Sequence, residues 1–428
     1  MAFYLPDEET LDPDGLLSLQ RRKLAALFHQ ITGRNAFWTR RFAGAPFDPR
    51  TDSLQTCPFT SRSEIEADQR DHPPYGTNLT YGLESYSRLH QTSGTTSGQP
   101  LRWLDTAESW TWWKRCWGTI YRAAGVTPTD RFVFPFSFGP FVGFWGAFET
   151  ATSMGNLSLA AGGMTTKARL EYLLDNKATV VGCTPTYALR MAEVADEEGF
   201  DLAGSPVRAL IVAGEPGGSV PSIRQQIEAK WGARVFDHAG MTEVGPWGFE
   251  CQEAPGGLHV MENEFIAEVI EPRGDAVVPD GQVGELVLTN LGRWGSPLFR
   301  YRTGDLVRLI RGRCACGRWF ARADGGILGR TDDMLIVRGN NVYPTAIEGV
   351  IREFSEVAEF VAEVDQRAAL PDLRITVEPV NGVNGAAVAR RVAEAMRDRF
   401  HFSPTVVAAE PGSLPRYEMK AKRWTRKE

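Results

Sequence analysis

No run of apolar residues in this sequence approaches the ~20 needed to span a bilayer. Positive charge is not in excess: 47 Lys and Arg stand against 53 Asp and Glu, a net charge of −6. That excludes the global basic field that draws nucleic acid or an anionic membrane surface, and neither is expected as a partner. The first ten residues lack the basic start and apolar stretch of a secretory leader. Cysteine is scarce, since six in 428 residues do not make a disulfide framework. A reducing cytoplasm is the expected setting. Apolar residues make up 43% of the chain, ample for a large core, and at ~150 residues per domain the length suggests two or three domains.

The chain is organised around Gln91-Thr92-Ser93-Gly94-Thr95-Thr96-Ser97-Gly98-Gln99-Pro100. Five hydroxyl side chains and two glycines lie there between two β-rich stretches, residues 86–90 and 101–104. Glycine lets backbone approach a ligand closely, and hydroxyls with successive N–H groups are neutral donors for an anionic polyphosphate. A Walker loop is excluded, because the Gly-Lys-Ser/Thr ending and a following helix are both missing. Taken alone, the stretch reads equally well as an ordinary Ser/Thr/Gly turn.

Residues 11–80 carry helical patterns, including an amphipathic stretch at 16–28 and a helix start at 59–65 where hydroxyls precede an acid. A helix over 106–124 holds Trp110, Trp113 and Trp117 at helical spacing, a core pattern. Short apolar strands at 131–134, 178–183, 207–212 and 234–236 then alternate with helices at 167–176, 185–198 and 219–231. Such repetition implies a parallel sheet covered by helices, with ligands bound off the carboxyl ends of the strands. Two of those ends carry Ala213-Gly214-Glu215-Pro216 and Asp237-His238-Ala239-Gly240-Met241-Thr242-Glu243. Their glycines let a flat ring lie against backbone, and Thr242 with Glu243 offers hard oxygen ligands for Mg²⁺. Downstream, Tyr301-Arg302-Thr303-Gly304-Asp305 puts a carboxylate after a Gly turn, suited to a diol. A linker at 329–334 separates a domain of residues 1–330 from an α+β segment, 331–428, whose basic tail (416–423) reads as a frayed terminus.

In order, these pieces resemble the adenylate-forming superfamily of acyl- and aryl-CoA ligases. The resemblance covers nearly the whole chain. Asn341-Val342-Tyr343-Pro344 and the closing Pro415-Arg416-x-Glu418-x-Lys420-Ala421 point to its phenylacetate–CoA ligase-like branch. The resemblance implies an α/β fold: a large N-terminal domain with parallel sheets covered by helices, and a small mobile α+β C-terminal domain. It implies a two-step reaction in which ATP and Mg²⁺ convert a carboxylate to an acyl-adenylate, and CoA then displaces AMP. It assigns Ser93, Gly94, Thr95, Thr96, Ser97 and Gly98 to the β- and γ-phosphates. Gly214, Glu215 and Pro216, with Asp237, His238, Ala239, Gly240 and Met241, enclose adenine. Glu243 beside Thr242 binds Mg²⁺, Asp305 and Arg330 hold ribose, Asp332 is the hinge and Lys420 reaches the α-phosphate. Two departures stand out. The loop ends Ser97-Gly98-Gln99-Pro100 with one additional residue and no lysine, and Ala239 replaces the aromatic expected before Gly-x-Thr-Glu.

The aromatic and glycine-rich segment 134–145 resembles the acyl-pocket segment and suits a flat apolar slot, with Phe138, Phe141 and Ala213 as its candidate lining. The expected substrate is an aromatic carboxylic acid of benzoate, aminobenzoate or arylacetate type. Cys251, His259, Cys314 and Cys316 form a separate set suited to tetrahedral structural Zn²⁺, while Cys57, Cys116 and Cys183 read as core. Three alternatives stay open: transfer of the adenylate to a carrier protein's pantetheine, a non-catalytic nucleotide-binding or interaction protein, and a zinc-stapled structural protein, which leaves the ordered nucleotide motifs unexplained.

Overall fold

The computed structural model describes residues 2–92, 100–140, 142–143, 145–337, 340–365, 372–417 and 421–427. Ser93 to Gly98, Phe141 and Lys420 therefore lie outside the described residues. The strands flanking the hydroxyl-rich loop, Tyr86–Gln91 and Arg102–Thr106, pair antiparallel.

The alternating pattern folds into the expected parallel sheet. Leu157–Ala160, Arg131–Phe134, Val180–Cys183, Ala209–Ala213 and Arg234–Met241 run side by side in that spatial order. The sheet does not stop there. A tight turn at 242–244 sends the chain back as Gly245–Phe249, antiparallel to Arg234–Met241. Three residues are too few for a crossover helix, so pairing changes sense at this point. Gly257–Val260, Arg322–Asp324, Tyr301–Ile310, Val283–Asn290 and Phe265–Ile270 extend the antiparallel half. Tyr301–Asp305 is thus strand rather than the turn expected from its glycine. Gly304 keeps a left-handed φ of 76° inside that strand, and a Cβ there would meet the Arg330 guanidinium at 2.8 Å.

The Trp-rich helix is Ala107–Ala123, capped by Thr106, whose side chain accepts from the Ser109 N–H. Trp110, Trp112, Trp113 and Trp117 are all buried, and the helix packs on the sheet face carrying Phe132, Phe134, Ile211 and Phe236. Helices Thr166–Asp175, Pro185–Glu198 and Pro221–Trp231 cover the opposite face in a second cluster. Cys57, Cys116 and Cys183 are buried, as their reading as core requires.

The last part of the chain is α+β with its own core. Thr405–Ala408, Asp372–Pro379, Val357–Asp365 and Trp424–Lys427 form a four-stranded sheet, flanked by helices Pro344–Ile351 and Gly385–Phe400. The frayed terminus expected from the basic tail is replaced by order at its end. Trp424–Lys427 pairs in parallel with Val357–Asp365, and the Arg423 guanidinium is buried against Glu348 and Glu359. Composition alone concealed this, because a basic residue reads as exposed until its carboxylate partners are known. Among the described residues no helix is long and apolar enough to cross a membrane.

Candidate active site

Glu243 sits in the turn that reverses the sheet, and two interactions hold it. The Tyr301 hydroxyl donates to its Oε1 at 3.0 Å, and the Arg62 guanidinium lies 3.6 Å from the same oxygen. Its Oε2 takes no hydrogen bond from the described residues. The turn's backbone is fixed from behind by Arg293, which donates to the carbonyls of Thr242 at 2.6 Å and Glu243 at 3.0 Å. Arg293 also makes a two-pronged ion pair with Asp105, both bonds 2.7 Å and both side chains fully buried. The bidentate geometry offsets the desolvation of each charge. None of Arg62, Asp105 and Arg293 is evident from sequence, because 188 residues separate the buried pair and no spacing marks it.

Asp305 lies one helical-turn's worth of residues beyond Tyr301 on the same strand, facing Arg330 on the short strand Gly329–Arg330 that pairs with it. Arg330 Nη1 donates to Asp305 at 3.0 Å while its Nε and Nη2 reach Asp332 at 2.9 and 3.2 Å. Burial lifts the Asp305 carboxyl to about 7, with Arg330 opposing the shift. Arg330 therefore links strand Tyr301–Ile310 to the start of the segment leading to the C-terminal domain.

The Gly214-Glu215-Pro216 turn follows strand Ala209–Ala213, and Gly214 adopts φ 96°, which a side chain disfavours. The Glu215 carboxylate faces the C-terminal segment. Its Oε1 accepts from the Thr186 N–H at 2.8 Å, in the first turn of helix Pro185–Glu198, and its Oε2 from the Ala421 N–H at 3.0 Å. Arg423 adds a bond to Thr186 Oγ1 at 3.2 Å, Ser222 donates to the Gly349 carbonyl at 2.9 Å, and Thr345 to Leu328 O at 2.8 Å. These contacts dock the C-terminal α+β unit on the carboxyl ends of the parallel strands.

Asp237 and His238 point to opposite sides of the sheet, as neighbours in a strand must. Asp237 meets Ser219 Oγ at 2.5 Å, and burial raises its carboxyl to about 6. The His238 ring lies 4.5 Å from that of Trp117. The segment therefore offers a flat ligand its backbone, with Ala239 and Gly240 leaving room, rather than both side chains. Ala213 pairs in register with His238. Phe138 is half-buried among aromatics, its ring 5.0 Å from Phe136, 4.5 Å from Trp145 and 5.3 Å from Phe148.

The four candidate zinc ligands converge although they come from two loops and a strand. Their ligand atoms all lie within 4.8 Å of one another. Cys251 Sγ is 3.8 Å from Cys314 Sγ, and Cys316 Sγ is 3.7 Å from His259 Nε2. With Zn–S of ~2.3 Å, a tetrahedron has S···S edges of ~3.8 Å. His259 Nδ1 points at the Phe320 carbonyl, 3.2 Å away, which leaves Nε2 as the ligand atom.

Residues 88–292 match the AMP-binding enzyme family, and residues 339–427 match the AMP-binding enzyme C-terminal domain. The phenylacetate–coenzyme A ligase of Thermus thermophilus is 32% identical over 97% of this chain and 97% of its own. The chain belongs to the AMP-binding enzyme family, on its phenylacetate–CoA ligase branch. Among solved structures, 2-hydroxyisobutyryl-CoA ligase in its postadenylation state with 2-HIB-AMP is 26% identical, with TM-score 0.91 over 100% of this chain and 93% of that one. The same ligase in its thioesterification state with CoA gives a TM-score of 0.75, at 26% identity over 100% and 92%.

Proposed function

We propose that this protein is an ATP-dependent, AMP-forming ligase that joins an aromatic carboxylic acid of benzoate, aminobenzoate or arylacetate type to CoA. The carrying observation is that Glu243, just after strand Arg234–Met241, lies within electrostatic reach of the Asp305–Arg330 pair, while the Glu215–Ala421 contact brings the C-terminal segment to the end of strand Ala209–Ala213, in a chain of this family. In the first half-reaction a carboxylate oxygen attacks the α-phosphorus and pyrophosphate leaves. In the second the CoA thiol loses its proton, its sulfur attacks the adenylate carbonyl, and AMP leaves.

Asp305 and Arg330 hold the ribose, and the backbone of Gly214–Pro216 and Asp237–Met241 encloses adenine. Glu243 Oε2 suits Mg²⁺, which binds through one or two carboxylates together with substrate phosphates. Lys420 is the proposed cation for the charge developing at the α-phosphate: an ammonium ~4 Å from an oxyanion is worth about 4 kcal/mol at an effective dielectric of about 20, before desolvation. The hydroxyl-rich loop, Ser93 to Gly98, covers the outer phosphates without the family's lysine.

The C-terminal domain starts at residue 331 and turns about Asp332, so that one face serves adenylation and another admits CoA. The docking of Ala421 on Glu215 belongs to the adenylation side of that cycle, in keeping with the higher likeness to the postadenylation form of 2-hydroxyisobutyryl-CoA ligase. A structural Zn²⁺ held by Cys251, His259, Cys314 and Cys316 fits the donor set and spacing, and it ties the hairpins of the antiparallel half together. Six cysteines free of disulfides suit a reducing cytoplasm.

Acid-dependent ATP–pyrophosphate exchange over a panel of aryl acids tests the reading, followed by thioester formation with free CoA and with a carrier protein's pantetheine. Lys420→Ala is expected to slow exchange by ~10²–10³-fold, the typical loss of one positioned electrostatic group. Consumption of supplied aryl-adenylate by CoA should stay near wild type. Absence of exchange with every acid refutes the proposal.

A further inference from the structure

One side chain at the end of the parallel strands has more hydrogen-bonding capacity than the protein uses. His238 is 6% exposed. Its Nδ1 lies 2.7 Å from the Gly248 carbonyl oxygen, which only accepts, so Nδ1 carries the ring proton. The other nitrogen, Nε2, is then a lone-pair acceptor. It has no partner among the described residues.

Its surroundings keep that lone pair open. Nε2 lies toward position 240, where a Cβ would stand 3.4 Å from it and 3.1 Å from both Gly245 O and Pro246 Cα, so glycine keeps a side chain off the ring nitrogen. On the same sheet face, residues paired in register set the floor beside it: Ala213 next to His238, and Gly182 next to Ile211. Trp117 closes the side, with its indole against Gly146 in the first turn of helix Trp145–Ser153, which follows Phe138 in the chain. Through Trp117 the imidazole abuts the aromatic cluster on which Phe138, the candidate lining of the apolar slot, also packs. Burial holds its pKa down at about 4, which keeps the ring neutral at physiological pH.

We propose that His238 Nε2 accepts a hydrogen bond from the acid substrate, so that the enzyme selects aromatic acids bearing a hydroxyl or amino group over their unsubstituted counterparts. The proposal rests on the aryl-ligase reading above. An otherwise apolar slot discriminates shape and volume only weakly, whereas a ligand that covers an acceptor without donating to it buries that acceptor unpaired and is disfavoured. His238 acts as a specificity residue and takes no part in either chemical step.

The test compares kcat/KM in acid-dependent ATP–pyrophosphate exchange for benzoates carrying hydroxyl, amino, fluoro, methoxy or hydrogen at each ring position. The wild-type enzyme is expected to favour a hydroxyl or amino compound by at least about tenfold over the hydrogen, fluoro and methoxy compounds at one position. His238→Leu should shrink that ratio to within about twofold, and His238→Gln, which returns an acceptor oxygen, should restore part of it. If fluoro and hydroxyl compounds exchange equally well in the wild type, the donor reading is overturned while the aryl-ligase reading stands. If His238→Leu lowers both members of a pair by the same factor, the residue is structural and the proposal fails. If no aryl acid supports exchange, the ligase reading itself falls and this one with it.

Discussion

Removing the Glu215 carboxylate should separate the two half-reactions. That carboxylate accepts the Thr186 N–H at 2.8 Å within the large domain and the Ala421 N–H at 3.0 Å from the C-terminal segment. Ala421 directly follows Lys420 in the sequence, so this bond fixes the residue next to the proposed adenylation lysine. A hydrogen bond to a charged acceptor contributes ~1.5–3 kcal/mol net. Each 1.36 kcal/mol is tenfold in rate, so Glu215→Ala should slow pyrophosphate release roughly 10- to 100-fold. Glu215→Gln keeps a neutral acceptor and should lose much less. The Thr186 bond joins two parts of the large domain and weakens in both half-reactions alike. Its share is measured as the change in conversion of supplied aryl-adenylate by CoA, together with the shift in Tm. Rapid-quench measurement of the two steps gives the comparison. Equal slowing of both steps, or adenylation within about twofold of wild type, would refute the reasoning.

Three further outcomes are expected. Purified protein should carry about one equivalent of zinc, and Cys316→Ser should lose it with a fall in Tm; protein prepared without chelator that holds no zinc contradicts the site. Phe138→Ala should raise KM for the aryl acid on the order of tenfold, from roughly 1.5–3 kcal/mol of lost burial, while KM for ATP stays nearly unchanged. Equal changes in both constants would mean a general loosening of the aromatic cluster. The third concerns pH. Burial raises the Asp305 carboxyl from 3.8 to about 7, so between those values the folded protein binds the proton more tightly than the unfolded chain. Stability from this group is then present at low pH and lost as pH rises toward and through about 7. Asp305→Asn should gain Tm relative to wild type on going from pH 4.5 to pH 8; a pH-independent difference in Tm would count against it.

The sequence by itself determined the βα alternation, since periods of two and 3.6 are local and each segment carries its own. It also determined the flanking strands of the hydroxyl-rich loop and the core role of Trp110, Trp113 and Trp117, because helical spacing alone puts those three on one face. Ordered short motifs singled out Glu243, Asp305 and Arg330 as candidates, and Asp305 follows Gly304, whose left-handed φ of 76° a side chain disfavours. Tertiary structure decided the rest. Whether the sheet continued parallel or turned antiparallel depended on the three residues at 242–244 and on partners up to Arg322–Asp324. Whether Tyr301–Asp305 was turn or strand depended on Val283–Asn290 and Gly329–Arg330 pairing on either side of it. The Arg293–Asp105 pair behind Glu243, the contact of Glu215 with Ala421 and the order of the last strand are all long-range. A charge's burial and a hydrogen bond's partner are properties of the space around a residue, which a chain acquires only when distant segments meet.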